Sequence, residues 1–593
     1  MIGSLKIWIK SHYQVVILAF VLGILAVLPH LYFIYSSGDD YRGINILKSS
    51  DEEAYMSMVN RAADGYFNTL APYLYEYRDF NDLSVSRLEI VLGKVVALTG
   101  ISVVNLFLAL KFLGPFSIVI LFYWLTYAIS KNKTAALLAP LLIIAGLGIV
   151  GTKLGIIKDV ILWRGSVTEY WDFIRLLNPA FSGIFFLLAL LAVFYLFVNP
   201  NIKRAFAAGI IFGALFYIYL YFWTFIAVLV GVMVIYALMA KKFKLLKYIS
   251  LAGVLGLLIG SPQLLSLFNS FTKITSGASQ AAGIGTVLSR APILEKLVLA
   301  ALVLYVFFII FLRRRGKVLS AEGGSASGEK KEIIFPIFIL ITGIIVVNQQ
   351  IVTGRIIQPF HYYFYTNLPS AYIALAVIFG YSIYLIRQKF LRYAIVVAVF
   401  ALVFSWGIGI QAASYKYWAP KYRDLQKYAV IFDWLRGNAV KDSVIYGNEE
   451  ISVLIPVYTP FFVYWNAYAG DSAYSPPERK ELAYFINMRL LGADAKSGEK
   501  YLRERRDDAG QKFYSQYYRD LCGSYGCFSE ETMNKIVKNY QDFLRQPFER
   551  EFKKYKLDYF VWDAAKNPDW RVGELKFLEP VYEYKRIKVL KIK

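Results

Sequence analysis

Residues 13–35 read YQVVILAFVLGILAVLPHLYFIY, an apolar run without a charged side chain. A helix needs about 20 mainly apolar residues to cross the hydrocarbon core, because every backbone polar group must find its partner within the segment there. The run exceeds the roughly 7–15 apolar residues of a signal peptide, and no small-residue cleavage site follows it. We therefore expect it to persist as a first membrane-spanning helix.

Ten further apolar segments follow this run. The chain is 57% hydrophobic and only 18% charged, against roughly 25% charged in typical soluble proteins, which excludes an ordinary soluble enzyme. The run over residues 205–240 is divided near Tyr219-Leu220-Tyr221. The sequence therefore predicts a polytopic α-helical membrane protein with about eleven spans. They lie near residues 13–35, 103–129, 134–152, 179–198, 205–219, 222–240, 247–268, 292–312, 333–349, 366–386 and 393–412.

Basic residues give these spans an orientation. Cytoplasmic loops are enriched in Lys and Arg, and with a cytoplasmic N-terminus every loop predicted inside is basic. The C-terminus is then extracytoplasmic. The net charge of +23 does not indicate nucleic-acid binding, because the cations cluster between apolar segments rather than along one soluble face. The cations of the inside loops are Lys6, Lys10, Lys131, Lys133, Lys203, Arg204, Lys241, Lys242, Lys244, Lys247, Arg313, Arg314, Arg315, Lys317, Arg387, Lys389 and Arg392.

Composition divides the chain into two parts. Residues 1–412 form a membrane module, with a large first outer loop over 36–100 and a Gly/Ser-rich cytoplasmic linker over 318–332. Residues 413–593 contain no apolar run long enough to span, and strand-like patterns at Ser443–Tyr446, Tyr559–Trp562 and Val581–Ile592 predict a soluble extracytoplasmic α/β domain.

The two cysteines of the chain, Cys522 and Cys527, both lie in this outer domain. An oxidising compartment permits a disulfide between them, whereas two free thiols are the alternative. The compartment argument favours the disulfide.

Acidic residues follow the first span. Asp39 and Asp40 come directly after it, and Asp51, Glu52 and Glu53 begin a segment with helical character. Carboxylates at a membrane surface can act as general bases or metal ligands. On spacing alone, a solvated loop with favourable charges at a helix N-terminus is the simpler explanation.

Two further candidates for binding lie in outer loops. Arg355, Gln358 and His361 stand among aromatic residues in the stretch GRIIQPFHYY, residues 354–363. An Arg fork and a His ring suit a lipid phosphate, although Arg and Tyr also anchor interfaces. Arg175, shortly before the span near 179–198, is placed to meet the same phosphate.

Several classes of site are missing from the sequence. It contains no Walker loop, dinucleotide fingerprint, HExxH motif or Cys-rich metal site. The sequence therefore predicts no binding site for a nucleotide donor, whereas a lipid-linked donor could approach from within the bilayer.

This pattern resembles the GT-C superfamily of polytopic glycosyltransferases, which use polyprenyl-phosphate sugars. In that superfamily the first span leads into a large outer loop with an acidic motif and interfacial helices, and a soluble outer domain often follows the last span. The similarity covers the whole chain in architecture. It rests locally on Gly38–Gly43 (GDDYRG), Asp51–Tyr55 (DEEAY), Glu89–Gly100, Gly354–Tyr363, Asn448–Glu450 and Tyr458–Thr459.

The resemblance implies transfer of a sugar from a lipid phosphate to an extracytoplasmic glycan, lipid or protein. Asp51 or Glu52 would be the general base, with Asp40, Asp39 and Tyr55 as other first-loop candidates; a divalent cation is required by some members only. Arg355, His361, Gln358 and Arg175 would bind the donor phosphate.

A transporter or lipid flippase with a partner-binding outer domain is the alternative. Such a protein would carry ionisable residues near the centres of its spans. The span centres here are almost free of them, apart from Lys111.

Overall fold

The computed structural model describes residues 10–47, 51–67, 72–79, 87–165, 167–273, 284–286, 290–315, 331–471, 475–514 and 529–593. Cys522, Cys527 and most of the 318–332 linker lie outside the described residues, so the disulfide and the linker remain predictions.

Long apolar helices dominate the first 425 residues. Within the described residues, nine helices are long and apolar enough to cross a membrane, and the chain is a multi-pass membrane protein. The α-helices of eight or more described residues in this part are α1 (Tyr13–Ser37), α2 (Glu52–Ala63), α3 (Leu88–Thr99), α4 (Val103–Ser130), α5 (Lys133–Ile144), α6 (Leu154–Ile161), α7 (Ser182–Val198), α8 (Ile202–Leu215), α9 (Leu220–Met239), α10 (Phe243–Lys273), α11 (Lys296–Arg315), α12 (Phe335–Val347), α13 (Leu368–Ser382) and α14 (Lys389–Leu425).

Two of the eleven predicted spans are shorter than expected. Helices α5 and α8 have 12 and 14 residues, about 18 and 21 Å at 1.5 Å per residue. Each packs closely on a neighbouring helix. A Cβ on Gly380 of α13 would lie 2.6 Å from Ala135 Cβ of α5. A Cβ on Gly213 of α8 would lie 2.5 Å from Ile259 Cβ of α10, so only glycine permits this approach of the two backbones.

Helix α14 carries the chain from the membrane into the outer domain. Its 37 residues correspond to about 56 Å, nearly twice the roughly 30 Å of a hydrocarbon core. The helix runs unbroken through residue 412, where the sequence pattern divides the two parts.

The outer domain is a mixed α/β structure around one five-stranded sheet. Its strands are β3 (Val444–Gly447), β4 (Phe462–Val463), β5 (Tyr559–Asp563), β6 (Leu578–Tyr584) and β7 (Ile587–Ile592). The strand order is β4-β3-β5-β7-β6, with β3 parallel to β4 and β5, and with β7 antiparallel to β5 and β6. All three predicted strand regions are therefore strands, and the last of them forms a hairpin. The α-helices of eight or more described residues in this domain are α15 (Lys427–Asn438), α16 (Glu449–Tyr458), α17 (Pro477–Leu490), α18 (Ala495–Glu504), α19 (Arg506–Tyr514) and α20 (Glu530–Leu544).

Two outer loops of the membrane part are joined by a small sheet. Strand β1 (Ile284–Thr286) pairs antiparallel with β2 (Arg355–Ile357). This pairing fixes the start of the loop that leads to His361.

The first outer loop is clamped against the outer domain. Arg61 of α2 is fully buried and donates hydrogen bonds to the carbonyl oxygens of Pro72 at 3.1 Å and Pro460 at 2.9 Å. Asn60 Nδ2 donates to the carbonyls of Pro456 and Thr459. A buried guanidinium needs such acceptors, since leaving it without them would be costly. Helix α2 is therefore held by hydrogen bonds to the outer domain.

Candidate functional site

The candidate site begins at the first residue before α2. Asp51 has a left-handed backbone, with φ of 61°, which is uncommon for a residue other than glycine but tolerated by Asp and Asn. Its carboxylate does not cap the helix. Instead it forms an ion pair with Arg175, so the strained turn directs the carboxylate away from its own helix.

Arg175 is the centre of a polar cluster. Besides Asp51, its guanidinium donates hydrogen bonds to Tyr365 Oη at 2.7 Å and to Tyr55 Oη at 3.2 Å. Asn178 Nδ2 also donates to Tyr55 Oη, at 3.4 Å. The Arg175 side chain is 10% exposed, whereas that of Asp51 is 44% exposed. The cation is thus fixed inside the site, and the carboxylate is accessible at its mouth.

The two glutamates after Asp51 have different environments. Glu52 is completely buried and forms an ion pair with Lys111 of α4, which is also buried. Glu53 is buried as well and accepts hydrogen bonds from Tyr468 Oη at 3.1 Å and Tyr422 Oη at 3.4 Å. Neither carboxylate faces solvent, and both hold α2 between the membrane helices and the outer domain. This burial speaks against the general-base role that the sequence also allowed for Glu52.

Asp39 and Asp40 are not part of this cluster. They lie in the exposed turn Gly38–Asp40 directly after α1. Within the described part of the chain, no hydrogen bond or ion pair connects either carboxylate to Asp51 or Arg175. Of the first-loop carboxylates predicted from sequence, the structure brings only Asp51 to Arg175.

A second cluster forms around His361. Its Nδ1 shares a hydrogen bond with Tyr219 Oη, and its ring stacks on that of Tyr221, with centroids 4.5 Å apart and an interplanar angle of 15°. Tyr221 Oη in turn donates to Gln358 Oε1 at 2.7 Å. Both predicted loop residues, His361 and Gln358, are therefore oriented by the tyrosines at the start of α9.

Tyr365 joins the two clusters. Its ring centroid lies 5.4 Å from that of His361 and 6.4 Å from that of Tyr219, while its hydroxyl accepts from Arg175. Residues from four segments, far apart in sequence, thus meet in one continuous polar and aromatic network. We call this network the outer-face cluster; it comprises Asp51, Tyr55, Arg175, Tyr219, Tyr221, Gln358, His361 and Tyr365.

Arg355 lies at the edge of the outer-face cluster. It begins strand β2 and is exposed, and its guanidinium makes no hydrogen bond or ion pair to the cluster among the described residues. It precedes Gln358 by three residues, so their Cα atoms are at most about 11 Å apart. Its charge is therefore near the cluster but available to a ligand.

One more carboxylate adjoins Arg175. Asp172 is half-buried, and burial raises its pKa to about 6, although the neighbouring Arg175 opposes this rise. Within the described ranges, no group of three or more His, Cys, Asp or Glu side chains is arranged to hold a metal ion.

Sequence reasoning did not assign Tyr219, Tyr221 or Tyr365 to the site, and it noted Lys111 without finding its partner. Tyr219 and Tyr221 interrupt an apolar run, where polar hydroxyls indicate either an interface or a site. Lys111 is a lone charge in an apolar span, and such a charge requires a partner. The sequence signals both kinds of residue but does not identify their partners.

Glu295, directly before α11, gives a prediction on pH dependence. Burial raises its pKa to about 7, against the hydrogen bond that Asn367 Nδ2 donates to its Oε2 at 2.7 Å. The folded state therefore binds this proton more tightly than the unfolded state, whose pKa is near 4.5. This contribution to stability is lost as pH rises from about 4.5 through 7.

We expect the melting temperature of the purified protein to fall between pH 5 and pH 8 more steeply than that of Glu295→Gln, whose amide oxygen still accepts from Asn367. Glu332→Gln, three residues before the start of α12, serves as a control and should keep the wild-type slope. Identical slopes for wild type and Glu295→Gln would contradict the prediction.

No protein-family model and no curated protein matches the sequence. Among solved structures, the chain is similar to the crystal structure of ArnT from Cupriavidus metallidurans bound to undecaprenyl phosphate. The identity is 12%, the match covers 98% of this chain and 98% of that chain, and the TM-score is 0.48. The side chains of the outer-face cluster, rather than this likeness, are the basis for the function considered below.

Proposed function

We propose that this protein is a membrane glycosyltransferase of the GT-C type, which moves a sugar from a polyprenyl-phosphate donor to an extracytoplasmic acceptor. The observation that carries the proposal is the outer-face cluster, in which an accessible carboxylate, a fixed cation and a His-containing loop meet at the ends of the spans. The predicted topology places this cluster on the extracytoplasmic side.

Asp51 is the general base in this proposal. An acceptor hydroxyl is a poor nucleophile and must lose its proton as the new glycosidic bond forms. The ion pair with Arg175 fixes the carboxylate, and its exposed position leaves an oxygen edge open to the acceptor. Arg175 acts as a positioning residue, because its contacts with Tyr55 and Tyr365 determine where Asp51 lies.

Arg355, His361 and Gln358 bind the lipid phosphate in this proposal. Breaking the bond between the sugar and the phosphate leaves negative charge on the lipid phosphate. A cation and hydrogen-bond donors close to the departing phosphate stabilise that charge. The exposed Arg355 guanidinium provides the cation, and the stacked His361 ring has one nitrogen besides the Nδ1 held by Tyr219.

Sugar transfer is tested with the purified protein in lipid nanodiscs and radiolabelled polyprenyl-phosphate sugars. Release of the polyprenyl phosphate together with transfer of label to an acceptor fraction would support the proposal. Movement of labelled lipid between leaflets without cleavage would instead support the flippase alternative.

Donor binding provides a second prediction. We expect Arg355→Ala and His361→Ala each to weaken binding of polyprenyl phosphate by roughly tenfold or more, since a hydrogen bond to a charged group contributes about 1.5–3 kcal/mol. The melting temperature should change little for Arg355→Ala, because that side chain is exposed.

Arg387→Ala, which removes a cation predicted on the opposite side of the membrane, is the matched control for this measurement. If both Arg355→Ala and His361→Ala bound polyprenyl phosphate with wild-type affinity, Arg175 would become the candidate for binding the phosphate instead.

The position of Lys111 weighs against the transporter alternative. It is the ninth residue of α4, about 12 Å from the start of that helix, and it pairs with Glu52 of the first outer loop. The single charge near a span centre thus holds the outer loop in place.

A further inference from the structure

The outer domain contains a cleft that is lined by none of the residues of the outer-face cluster. It encloses about 260 Å³, close to the lower end of the range for small-ligand sites, about 300–1,000 Å³. Tyr446, Trp465, Asn487, Tyr501, Arg505 and Asn567 are among the residues that line it.

The cleft lies where the topology of the sheet favours a ligand. Strands β3 and β5 are parallel, and the residues that follow their carboxyl ends, Glu449 after β3 and Asn567 after β5, both line it. In open α/β sheets, ligands bind in the crevice outside the carboxyl ends of parallel strands. The position of this cleft in the sheet therefore supports ligand binding independently of the side chains that line it.

Aromatic rings supply part of the lining. Trp465 and Tyr501 are half-buried, so each has ring surface that is not covered by the protein. The C–H face of a sugar ring stacks on such surfaces, because polarised C–H groups are attracted to the negative face of an aromatic ring. The deeper rings, Tyr446 and Trp570, are buried in the domain core and form a rigid base.

Polar groups of both kinds complete the lining. The amides of Asn487 and Asn567 can each donate and accept hydrogen bonds, as the hydroxyls of a sugar require. The guanidinium of Arg505 lies 4.6 Å from the ring centre of Tyr501 and donates to its hydroxyl at 3.2 Å. Tyr484 Oη donates to Asp508 at 3.1 Å. These contacts hold the charged groups in place before a ligand arrives.

We propose that this cleft binds a terminal sugar of a glycan, and that this glycan is the acceptor. Its identification as the acceptor rests on the function proposed above, whereas the binding of a sugar does not. Aromatic surfaces, amides and charges of both signs together match a ring that has apolar faces and a rim of hydroxyls. The acceptor of the reaction would accordingly be a saccharide rather than a protein side chain.

The test uses the full-length protein in nanodiscs on an array of immobilised oligosaccharides that end in hexose, N-acetylhexosamine or uronate. We expect saturable binding to at least one class. The double variant Asn487→Ala/Arg505→Ala should bind that saccharide about tenfold more weakly, since it removes two side chains that hydrogen-bond to it. Lys538→Ala, which truncates an exposed cation of α20 outside the cleft, should bind as the wild type does.

Each outcome has a defined meaning. Absence of saturable binding to every saccharide, or equal binding by wild type and the double variant, overturns the cleft as a sugar site. Weakened glycan binding in the double variant supports the cleft, even if the purified protein transfers no labelled sugar. That combination would reject the proposed transferase while retaining the glycan site.

Discussion

Asp51→Asn should reduce sugar transfer by about 10²–10⁴-fold, the usual contribution of a positioned general base. The amide is nearly isosteric with the carboxylate and keeps an oxygen that can accept from Arg175. Asn also tolerates a left-handed backbone, so the φ of 61° at this position should persist. The variant therefore removes the proton acceptor and little else, and transfer of label from the polyprenyl-phosphate sugar measures the effect.

Asp79→Asn is the matched control, because it neutralises a 78% exposed carboxylate of the same outer loop. It should transfer sugar at the wild-type rate. Donor affinity should be unchanged in both variants. The melting temperature should be unchanged in Asp79→Asn and should fall only slightly in Asp51→Asn, since the Arg175 guanidinium keeps its hydrogen bonds to Tyr55 and Tyr365. A nearly normal rate for Asp51→Asn would assign the general-base role to Asp40 or Asp172. Full activity in Asp51→Asn, Asp40→Asn and Asp172→Asn would reject this mechanism.

The buried ion pair between Lys111 and Glu52 gives a second prediction with a large effect, on the stability of the fold. Lys111→Met leaves the fully buried Glu52 without its cation, and breaking one side of a buried ion pair typically costs about 3–5 kcal/mol. We expect the melting temperature to drop by several degrees and donor turnover to fall with it, since the pair fixes the start of α2 beside Asp51.

The double variant Lys111→Met/Glu52→Gln should recover much of this loss, because no buried charge then remains without a partner. Lys94→Met, which removes an exposed cation from α3, should leave the melting temperature nearly unchanged. Equal melting temperatures for the wild type and Lys111→Met would show that the pair contributes little. A double variant no more stable than the single one would show that the side chains act independently.

The membrane fold is predictable because one physical requirement governs each span. Backbone groups in hydrocarbon must be paired internally, so a run such as residues 13–35 has few alternatives to a helix. Strands of the outer domain were also recognisable from their apolar patterns. The shortness of α5 and α8 was not, since it depends on packing against neighbouring helices, as between Gly213 and Ile259.

The candidate site was predictable only as separate pieces. Sequence indicated Asp51, Arg175 and His361, each from its chemistry and its position in an outer loop. Their meeting through Tyr365 depends on contacts between segments almost two hundred residues apart, which no local pattern encodes. Likewise, Asp51, Glu52 and Glu53 are equivalent in sequence, and only burial distinguishes the accessible carboxylate from the two structural ones.

The clamp on α2 also has a consequence for biosynthesis. Glu53 is made early, but its partner Tyr468 follows 415 residues later in the chain. At about 5–20 residues per second, the interval is roughly 20–80 s. During that time the first outer loop has already been made, whereas the tyrosine that will donate to its glutamate does not yet exist. Glu53 can therefore form this hydrogen bond only after the C-terminal segment has been made, so the contacts around α2 are completed from the C-terminal end of the chain.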